Sequence, residues 1–482
     1  MKKFVNDKLQ QYEKMICGKT CAVIGIGVSN LPLIDFLCER GAKVVARDKK
    51  DITELSKNPA LDIETLCAKG VSFITGEGYL DGLCEDIIFK TPGIRCDNPK
   101  IKKAYLDGAY VTSEMEVFLS LCPAKIIAVT GSDGKTTTTT LISKLLSEQG
   151  LSVYVGGNIG RPLLYDVPEM TPDDFAVLEL SSFQLHSMYQ NPDGTKKEIG
   201  FSFPDVAVVT NVSPNHLDWH TSYEEYIDSK KMIFSNLSEG GKLVTNYANA
   251  ETLSYAELAK SQGKNVCFFS AHKENDGYYL ENDAVCKNKK SVLLREKILL
   301  QGIHNVENYM AAIAATEDFV TEQTIERVAS TFGGVAHRLE YVRTVDEVVF
   351  YNSSIDSSPS RTVAAINGFS DEMRKKLVLI MGGYDKKIPY DSVGEPVCRM
   401  AKAVFLCGAT AQKIKEAVTS APNYSADTEI FVYDDFEKTV KSAKEYAKSG
   451  DRVILTPASA SFDMFKNFEE RGERFKEIVN SL

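Results

Sequence analysis

Residues 125–137, KIIAVTGSDGKTT, decide the fold of this chain. Five of the first six residues are apolar or β-branched, which predicts a buried strand. The glycines at 131 and 134 predict a tight turn, and the following residues, up to Gly150, predict a helix. A strand, a glycine-rich turn and a helix in this order are typical of a parallel α/β layer.

The turn has the composition of a phosphate-binding loop. Its backbone N–H groups can surround phosphate oxygens at a helix N-terminus, Lys135 can reach the outer phosphates, and the Thr136 hydroxyl can ligate Mg²⁺. The glycine expected six residues before the lysine is replaced by Val129, so the loop is a variant of that motif. The predicted nucleotide contacts are Gly131, Ser132, Asp133, Gly134, Lys135, Thr136 and Thr137.

Short apolar runs alternate with helical stretches along the whole chain and separate into three blocks. We therefore predict an α/β protein with three domains in series, over residues 1–122, 123–335 and 336–482. The outer two are expected to be Rossmann-like, and the central one to be of the P-loop ATPase type with a parallel sheet. The predicted strands are 20–24, 43–46, 86–89, 125–130, 175–180, 205–210, 348–351, 376–381, 403–407 and 452–456.

Composition excludes several classes of protein. The net charge of -10 argues against nucleic acid as a partner, because phosphate backbones are bound by basic surfaces. No apolar run reaches the 18 residues that a membrane span needs, and the charged start of the chain has no apolar segment of the secretory type, so a cytoplasmic location is expected. The 11 cysteines are scattered without metal-type spacing and are expected to be reduced thiols.

Three polar residues follow the predicted strands of the central block. Glu179 ends one strand, His216 follows the next, and Lys230 lies on the helix after that, beside Lys231. The carboxyl ends of parallel strands share one edge of a sheet, where ligands of α/β proteins bind. A carboxylate at this edge suits Mg²⁺. From composition alone, a solvated lysine pair is an equally good interpretation of residues 230 and 231.

The first block carries a weaker motif. Gly25 and Gly27 follow a strand, and Asp48 ends the next strand, as in a dinucleotide fingerprint, but the third glycine is Asn30. The motif favours a phosphate or nucleotide at this helix N-terminus, such as a nucleotide-sugar diphosphate. An NAD-dependent dehydrogenase remains an alternative at this point.

Six motifs together resemble those of the Mur ligase family, over nearly the whole chain. Its end resembles most closely the branch that joins D-glutamate to UDP-N-acetylmuramoyl-L-alanine. The motifs are TGSDGKT at 130–136, GNIG at 157–160, LELSSFQ at 178–184, NVSPNHLD at 211–218, HNVEN at 304–308 and SASFDMFKNFEERG at 459–472.

The resemblance implies a role for each matching residue. Lys135 and Thr136 would hold the phosphates of ATP and Mg²⁺, while Glu179 and His216 would serve two metal ions. Lys230 matches the lysine that the family carbamylates. The remaining matches are Asn305 and Arg338 for the nucleotide, Asn158, Val28, Ser29, Lys49 and Gly93 for the uridine-linked substrate, and Lys386, Ser461 and Phe468 for D-glutamate.

The resemblance also implies the reaction, an ATP-dependent amide ligation through an acyl phosphate in peptidoglycan precursor synthesis. The expected partners are the three small-molecule substrates, and the expected state is a monomer. The alternatives are another Mur ligase, a ligase like folylpolyglutamate synthase, and a non-catalytic P-loop regulator. One segment departs from the family pattern: 352–357 reads NSSIDS where many relatives have NDSKAT, and Asp356 is our hypothesis for the missing ribose contact.

Overall fold

The computed structural model describes residues 4–27, 30–58, 61–201, 203–300 and 302–482. It divides into two compact units. The first unit comprises Met1–Ile298 and Ile303–Ser330, and the second comprises Leu299–Gly302 and Thr331–Leu482. Within the described ranges, no helix combines the length and the apolar character needed to cross a bilayer.

The N-terminal part of the first unit is a parallel sheet in the order β3-β2-β1-β4-β5. Because β1 lies between β2 and β4, the turn after it opens into the crevice where the strand order reverses. The strands are β1 Thr20–Ile24, β2 Lys43–Asp48, β3 Ser72–Thr75, β4 Ile87–Lys90 and β5 Tyr110–Thr112. The helices are α1 Asp7–Ile16, α2 Leu31–Glu39, α3 Ile52–Leu55, α4 Ile63–Ala68, α5 Pro99–Leu106 and α6 Glu114–Leu121.

The central part of the first unit is a larger sheet in the order β14-β13-β12-β11-β10-β9-β6-β8-β7. It is parallel from β12 to β7, and β6 lies between β9 and β8 at a second reversal of strand order. The strands are β6 Lys125–Thr130, β7 Val153–Gly157, β8 Phe175–Glu179, β9 Val206–Val209, β10 Lys242–Asn246, β11 Asn265–Ser270, β12 Tyr278–Glu281, β13 Ala284–Lys287 and β14 Lys290–Leu294. The helices are α7 Lys135–Glu148, α8 Ser182–Tyr189, α9 Tyr223–Lys231, α10 Ala250–Ser261, α11 Ile303–Thr316 and α12 Glu322–Thr331.

The second unit is a sheet in the order β15-β16-β20-β17-β18-β19, parallel except for the edge strand β15. Buried apolar side chains cover both of its faces, which explains the continuous apolar runs of its central strands. The strands are β15 Glu340–Val345, β16 Val348–Asn352, β17 Leu377–Met381, β18 Ala401–Leu406, β19 Glu429–Val432 and β20 Arg452–Leu455. The helices are α13 Pro359–Asn367, α14 Gly394–Met400, α15 Ala411–Thr419, α16 Phe436–Tyr446 and α17 Phe468–Asn480.

Each predicted strand coincides with an observed strand to within two residues at either end. Strands β3, β5, β7, β10, β11 and β19, which pair in parallel, were not predicted, and neither were β12 to β15, which take part in the antiparallel pairings. The turns joining β12, β13 and β14 place Asn282, Asp283, Asn288 and Lys289 at positive φ, as tight hairpin turns require. Since these turns contain no glycine, the sequence carries no strong hairpin signal there.

Candidate active site

The loop after β6 is built on two glycines that no other residue could replace without displacement of a neighbour. Gly131 has φ 149°, and a Cβ on it would lie 1.9 Å from Thr210 Oγ1. Gly134, at φ 78°, is the N-cap of α7, and its Cβ would lie 2.5 Å from Asn308 Oδ1. The loop is therefore packed between the end of β9 and helix α11, with the start of α7 behind it.

Ser132 and Asp133 hold the loop in shape. The Ser132 hydroxyl accepts a hydrogen bond from the backbone N–H of Ser213 at 2.9 Å and lies 2.7 Å from the Tyr226 hydroxyl. The Asp133 backbone N–H donates to Asn211 Oδ1 at 3.0 Å. Asn211 and Ser213, in the motif after β9, thus hold the loop by hydrogen bonds. The sequence did not indicate this role.

Lys135 begins α7 with its side chain turned back over the loop. Its Nζ donates to the carbonyl oxygens of Gly131 and Ser132, both at 2.8 Å. Thr136 and Thr137 follow, half-buried, in the first turn of the helix. This arrangement places a cation and the helix N-terminus at the same point, which suits a phosphate group.

Lys230, and not Lys231, reaches the loop. Its side chain is 2% exposed, and its Nζ donates to the carbonyl of Gly131 at 2.8 Å. Lys231 pairs instead with Asp228, its Nζ 2.8 Å from the exposed carboxylate. Burial and the charge of Lys135 hold the pKa of Lys230 well below its usual value.

Glu179 ends β8 and is 1% exposed. One carboxylate oxygen, Oε1, accepts a hydrogen bond from Asn158 Nδ2 at 2.8 Å. The other, Oε2, is buried and has no hydrogen-bond partner among the described residues. An unpartnered carboxylate oxygen is costly in a folded protein, and a divalent cation is a ligand that would satisfy it.

His216 lies in the loop after β9 with its backbone in the left-handed region, at φ 54°. Its exposed ring packs edge-on against Phe183, with 4.9 Å between ring centroids. Partial burial and the charges of Lys135 and Lys230 lower the pKa of His216, which favours the neutral imidazole that metals bind. Within the described ranges, no three His, Cys, Asp or Glu side chains are grouped closely enough to form a metal site by themselves.

Asn305 lies on α11, next to the loop. Its side-chain oxygen accepts a hydrogen bond from Asn308 Nδ2 at 3.2 Å, and Asn308 Oδ1 accepts one from the Thr138 hydroxyl, also at 3.2 Å. Asn308 therefore ties α11 to α7 directly beside Gly134. It lies in the HNVEN motif but was not predicted as a site residue, because spacing does not show which asparagine faces the loop.

Of the residues predicted for the uridine-linked substrate, Val28 and Ser29 lie outside the described residues. Lys49 is exposed after β2, and Gly93 is exposed after β4. Asp48 is used within its own turn: Oδ2 accepts from the Ile26 backbone N–H at 2.7 Å and Oδ1 from the Lys50 N–H at 2.9 Å. Its carboxylate is therefore occupied, and the dehydrogenase alternative receives no support from it.

The residues predicted for D-glutamate lie on neighbouring loops of the second unit. Tyr384 and Ala460 form a β-bridge, which places the loop that contains Lys386 next to the one that contains Ser461. Lys386 is exposed, with Nζ 3.3 Å from the carbonyl of Ser357, while Ser461 is buried. Phe468 begins α17.

Arg471 connects three segments of this second unit. It is 1% exposed, and its guanidinium donates to the carbonyls of Ser354, Ser459 and Ala460 at 2.9 to 3.1 Å. Burial lowers the pKa of Arg471 to about 10. The sequence did not single it out, since an arginine on a charged helix is usually exposed.

Arg338 is exposed on a turn before β15, and Asp356 lies in the segment that departs from the family pattern. Asp356 is 6% exposed, and its Oδ2 accepts from the Thr456 hydroxyl at 2.9 Å. Burial raises the pKa of Asp356, although hydrogen bonds from Ser353 and Thr456 oppose this. Its carboxylate is used inside the fold, so its position gives no support to a ribose contact.

Three family models match the chain. They are described as the Mur ligase MurD-like N-terminal domain, over residues 19–113, the Mur ligase middle domain, over 129–316, and the Mur ligase glutamate ligase domain, over 337–459. Among solved structures, a UDP-N-acetylmuramoyl-L-alanyl-D-glutamate–2,6-diaminopimelate ligase is similar, with a TM-score of 0.57, 19% identity and 92% of each chain covered. A UDP-N-acetylmuramate–alanine ligase from Thermotoga maritima has a TM-score of 0.54 at 18% identity, covering 96% of this chain and 99% of that one.

Curated relatives are similar over their full length. A UDP-N-acetylmuramoylalanine–D-glutamate ligase of Ruminiclostridium cellulolyticum is 48% identical, covering 99% of this chain and 100% of that protein. The corresponding ligase of Clostridium tetani is 45% identical over the same shares. With these relatives and with family models along its three α/β blocks, the chain belongs to the Mur ligase family and has its three-domain architecture.

Proposed function

We propose that this enzyme joins D-glutamate to UDP-N-acetylmuramoyl-L-alanine, using ATP, in the synthesis of peptidoglycan precursors. The observation that carries the proposal is the group of side chains around the loop after β6. Lys135 and Lys230 both lie 2.8 Å from the Gly131 carbonyl, and Glu179 keeps a buried oxygen without a partner among the described residues. Relatives that are 45% and 48% identical over 99% of the chain carry the name of this activity.

The site fits ATP and Mg²⁺. The residues proposed to hold the phosphates are Gly131, Ser132, Asp133, Gly134, Lys135, Thr136 and Thr137, with Asn305 and Arg338 for the rest of the nucleotide. Thr136, Glu179 and His216 supply the oxygen and nitrogen ligands proposed for two metal ions. Bound Mg²⁺ would neutralise the developing charge on the transferring phosphoryl group.

Lys230 is proposed to be carbamylated. Its lowered pKa leaves more of the neutral amine, which is the form that adds to CO₂, with loss of a proton, to give a carbamate. An ammonium at this position would face Lys135 and any bound cation, whereas a carbamate offers the oxygen donors that Mg²⁺ prefers. The burial of Lys230 supports this proposal, because a surface lysine would gain nothing from the change.

The two organic substrates are assigned to separate sites. The uridine-linked acceptor is proposed to bind at the turn after β1 and the loop after β4, through Val28, Ser29, Lys49 and Gly93, with Asn158 near its reacting end. D-Glutamate is proposed to bind in the second unit, through Lys386, Ser461 and Phe468. The bridge between Tyr384 and Ala460 supports this grouping.

The chemistry follows from the charges that these side chains carry. A free carboxylate is a poor electrophile, so the acceptor carboxylate first attacks the γ-phosphorus of ATP, releasing ADP and forming an acyl phosphate. Two anions approach each other in this step, and the Lys135 ammonium reduces their repulsion. The amine of D-glutamate then attacks the acyl carbon, and inorganic phosphate leaves.

The organisation of the chain is part of the proposal. We place the domain boundaries at residues 1–122, 123–335 and 336–482, near the point where the second compact unit begins at Thr331. Substrates that are nucleotides and a nucleotide-linked sugar suit a cytoplasmic enzyme, and we propose that it acts there as a monomer. Sedimentation of the purified chain would measure the oligomeric state directly.

D-Glutamate is expected to be the preferred amine, because Lys386 supplies a cation for one of its two carboxylates. The experiment measures ADP release by a coupled assay with the uridine-linked acceptor and a panel of amines, with product mass as a second readout. L-Glutamate is the matched control, since it has the same charges and the opposite hand. Faster turnover with L-alanine, L-lysine or diaminopimelate would favour another Mur ligase activity, and no turnover with any amine would favour a regulator.

A further inference from the structure

Two loops of the first unit are in contact, although they lie far apart in the sequence. One is Gly93–Asp97, after β4, which contains a residue proposed for the acceptor. The other is His216–Ser222, after β9, which contains a proposed metal ligand. The two loops are connected by three side chains, which we call the junction cluster: Arg95 of the first loop, Trp219 of the second, and Glu225 of α9. The sequence analysis assigned no role to any of the three.

Arg95 uses all five of its N–H donors, two within its own loop and three across this junction. Its Nε and Nη2 donate to Asp97 Oδ1 and Oδ2, at 3.0 and 2.9 Å. Nη1 and Nη2 donate to the two carboxylate oxygens of Glu225, both at 3.1 Å, and Nη1 also donates to the backbone carbonyl of Trp219, at 3.0 Å. A planar guanidinium held on every donor fixes the two loops in one relative position.

Glu225 is held equally firmly on the central side. Its Oε2 accepts from the Thr221 backbone N–H at 2.7 Å, and its Oε1 lies 3.2 Å from His186 Nε2. Partial burial would raise the pKa of Glu225, but the hydrogen bonds from Arg95 and Thr221 outweigh it and hold the pKa at about 2. The carboxylate is therefore ionised at neutral pH and forms an ion pair with Arg95.

Trp219 contacts the first loop with its side chain and His216 of its own loop with its backbone. The indole Nε1–H donates to the carbonyl of Gly93 at 3.1 Å, while the backbone N–H donates to the carbonyl of His216, also at 3.1 Å. Its ring packs on Phe183, with 4.5 Å between centroids, and the Arg95 guanidinium lies 5.0 Å from its centroid. A single residue thus contacts a proposed acceptor residue and a proposed metal ligand.

We propose that Trp219 is a positioning residue, which couples acceptor binding at Gly93 to the loop that presents His216. The acceptor and the Mg²⁺–nucleotide would each favour the same arrangement of this junction, so that each binds more tightly when the other is present. The inference rests on the proposed function, because it takes Gly93 and His216 as binding residues.

Trp219 is the only tryptophan of the chain, so its fluorescence reports on this junction without labelling. The experiment measures the Kd of UDP-N-acetylmuramoyl-L-alanine by calorimetry, with and without Mg²⁺ and a non-hydrolysable ATP analogue, and follows Trp219 emission in the same titrations. For the wild type, we expect the analogue to tighten acceptor binding several-fold and acceptor binding to change the emission.

Trp219→Phe keeps an aromatic ring against Phe183 but loses the indole N–H together with the smaller ring of the indole. Loss of one hydrogen bond is expected to weaken acceptor binding about twofold to tenfold, and the ratio of the two Kd values is expected to fall towards one. Tyr165→Phe is the matched control. The Tyr165 hydroxyl donates to Glu39 Oε1 at 2.7 Å, also between the N-terminal and central parts, but the tyrosine is exposed and neither residue belongs to the two loops. This control should keep the wild-type ratio.

Several outcomes would overturn the coupling. They are a wild-type ratio of one, the same ratio in Trp219→Phe as in the wild type, or a ratio that falls equally in Tyr165→Phe. A lowered melting temperature with an unchanged ratio would show a structural residue only. Failure of the proposed function is distinguished separately, since a wild-type enzyme that neither binds the acceptor nor releases ADP with D-glutamate would remove both proposals.

Discussion

Lys230→Ala is expected to lower turnover on the order of 10²-fold or more, the usual effect of removing one preorganised contact from a transition state. The reason is the position of this side chain, buried beside the loop with its Nζ 2.8 Å from the Gly131 carbonyl. If the functional group is a carbamate, the variant loses an anion beside the proposed metal site. It also leaves a space that a small carboxylate can enter. Added acetate or another short carboxylic acid is then expected to restore part of the activity.

The measurement is steady-state ADP release with and without acetate, together with the intact mass of wild-type enzyme equilibrated with CO₂. Lys231→Ala is the matched control, because Lys231 is the next residue on the same helix and its ammonium pairs with the exposed Asp228. We expect it to retain most of the activity. Equal losses at the two positions, or no rescue and no carbamate, would contradict the role assigned to Lys230.

Lys135→Ala is expected to lower turnover by at least about 10²-fold, which corresponds to about 2.7 kcal/mol of transition-state stabilisation. The Lys135 ammonium is the cation that begins α7 and folds back over the phosphate loop. Without it, the acceptor carboxylate and the γ-phosphate approach each other with less compensation of their charges. Single-turnover measurements would separate this chemical step from substrate binding.

Lys144→Ala provides the control for Lys135→Ala. Lys144 lies exposed on the same helix, away from the loop, so its removal tests the general effect of losing a lysine from α7. We expect nearly wild-type turnover from this variant. Near-normal turnover of Lys135→Ala would contradict the assignment of the loop to ATP phosphates.

Ten strands of the parallel sheets could be predicted because their signals are local. A buried parallel strand is a continuous apolar run, and β6, β8 and β17 each show one before a polar turn. The phosphate loop could also be predicted, because its glycines are visible in the sequence. The structure shows why they are required: Gly131 lies close to Thr210 and Gly134 lies close to Asn308. Strands β12 to β15 gave weaker signals, because the hairpin turns beside them use asparagine, aspartate, glutamate and lysine at positive φ instead of glycine.

A residue of the candidate site could be predicted from the sequence only where its side chain had a single plausible function at that position. Composition alone left residues 230 and 231 as an undecided pair, and only the resemblance favoured Lys230. The turn of α9 buries Lys230 and leaves Lys231 half-buried beside Asp228. Asn308, Trp219 and Arg471 were missed, because their importance lies in contacts with residues more than 10 positions away in sequence. Such pairings depend on tertiary packing, which spacing along the chain does not record.

The segment 352–357 shows the limit of reasoning from a family pattern. The departure at Ser353 and Ile355 suggested that Asp356 takes over a ribose contact. The side chain instead faces Thr456, and Ser353 contributes a hydrogen bond to the same buried acid. The polarity of the segment could not show whether the Asp356 side chain points towards a ribose or towards Thr456, since both would place its carboxylate beside hydroxyl groups.

The most direct test of the central claim, activation of the acceptor carboxylate by phosphoryl transfer, follows the oxygen atoms. UDP-N-acetylmuramoyl-L-alanine labelled with ¹⁸O in both oxygens of its alanyl carboxylate would be incubated with the enzyme, ATP, Mg²⁺ and D-glutamate, and the inorganic phosphate analysed by mass spectrometry. An acyl phosphate predicts that one ¹⁸O moves to phosphate for each amide formed, with ADP as the nucleotide product. Phosphate without label, or release of AMP and pyrophosphate, would contradict the account.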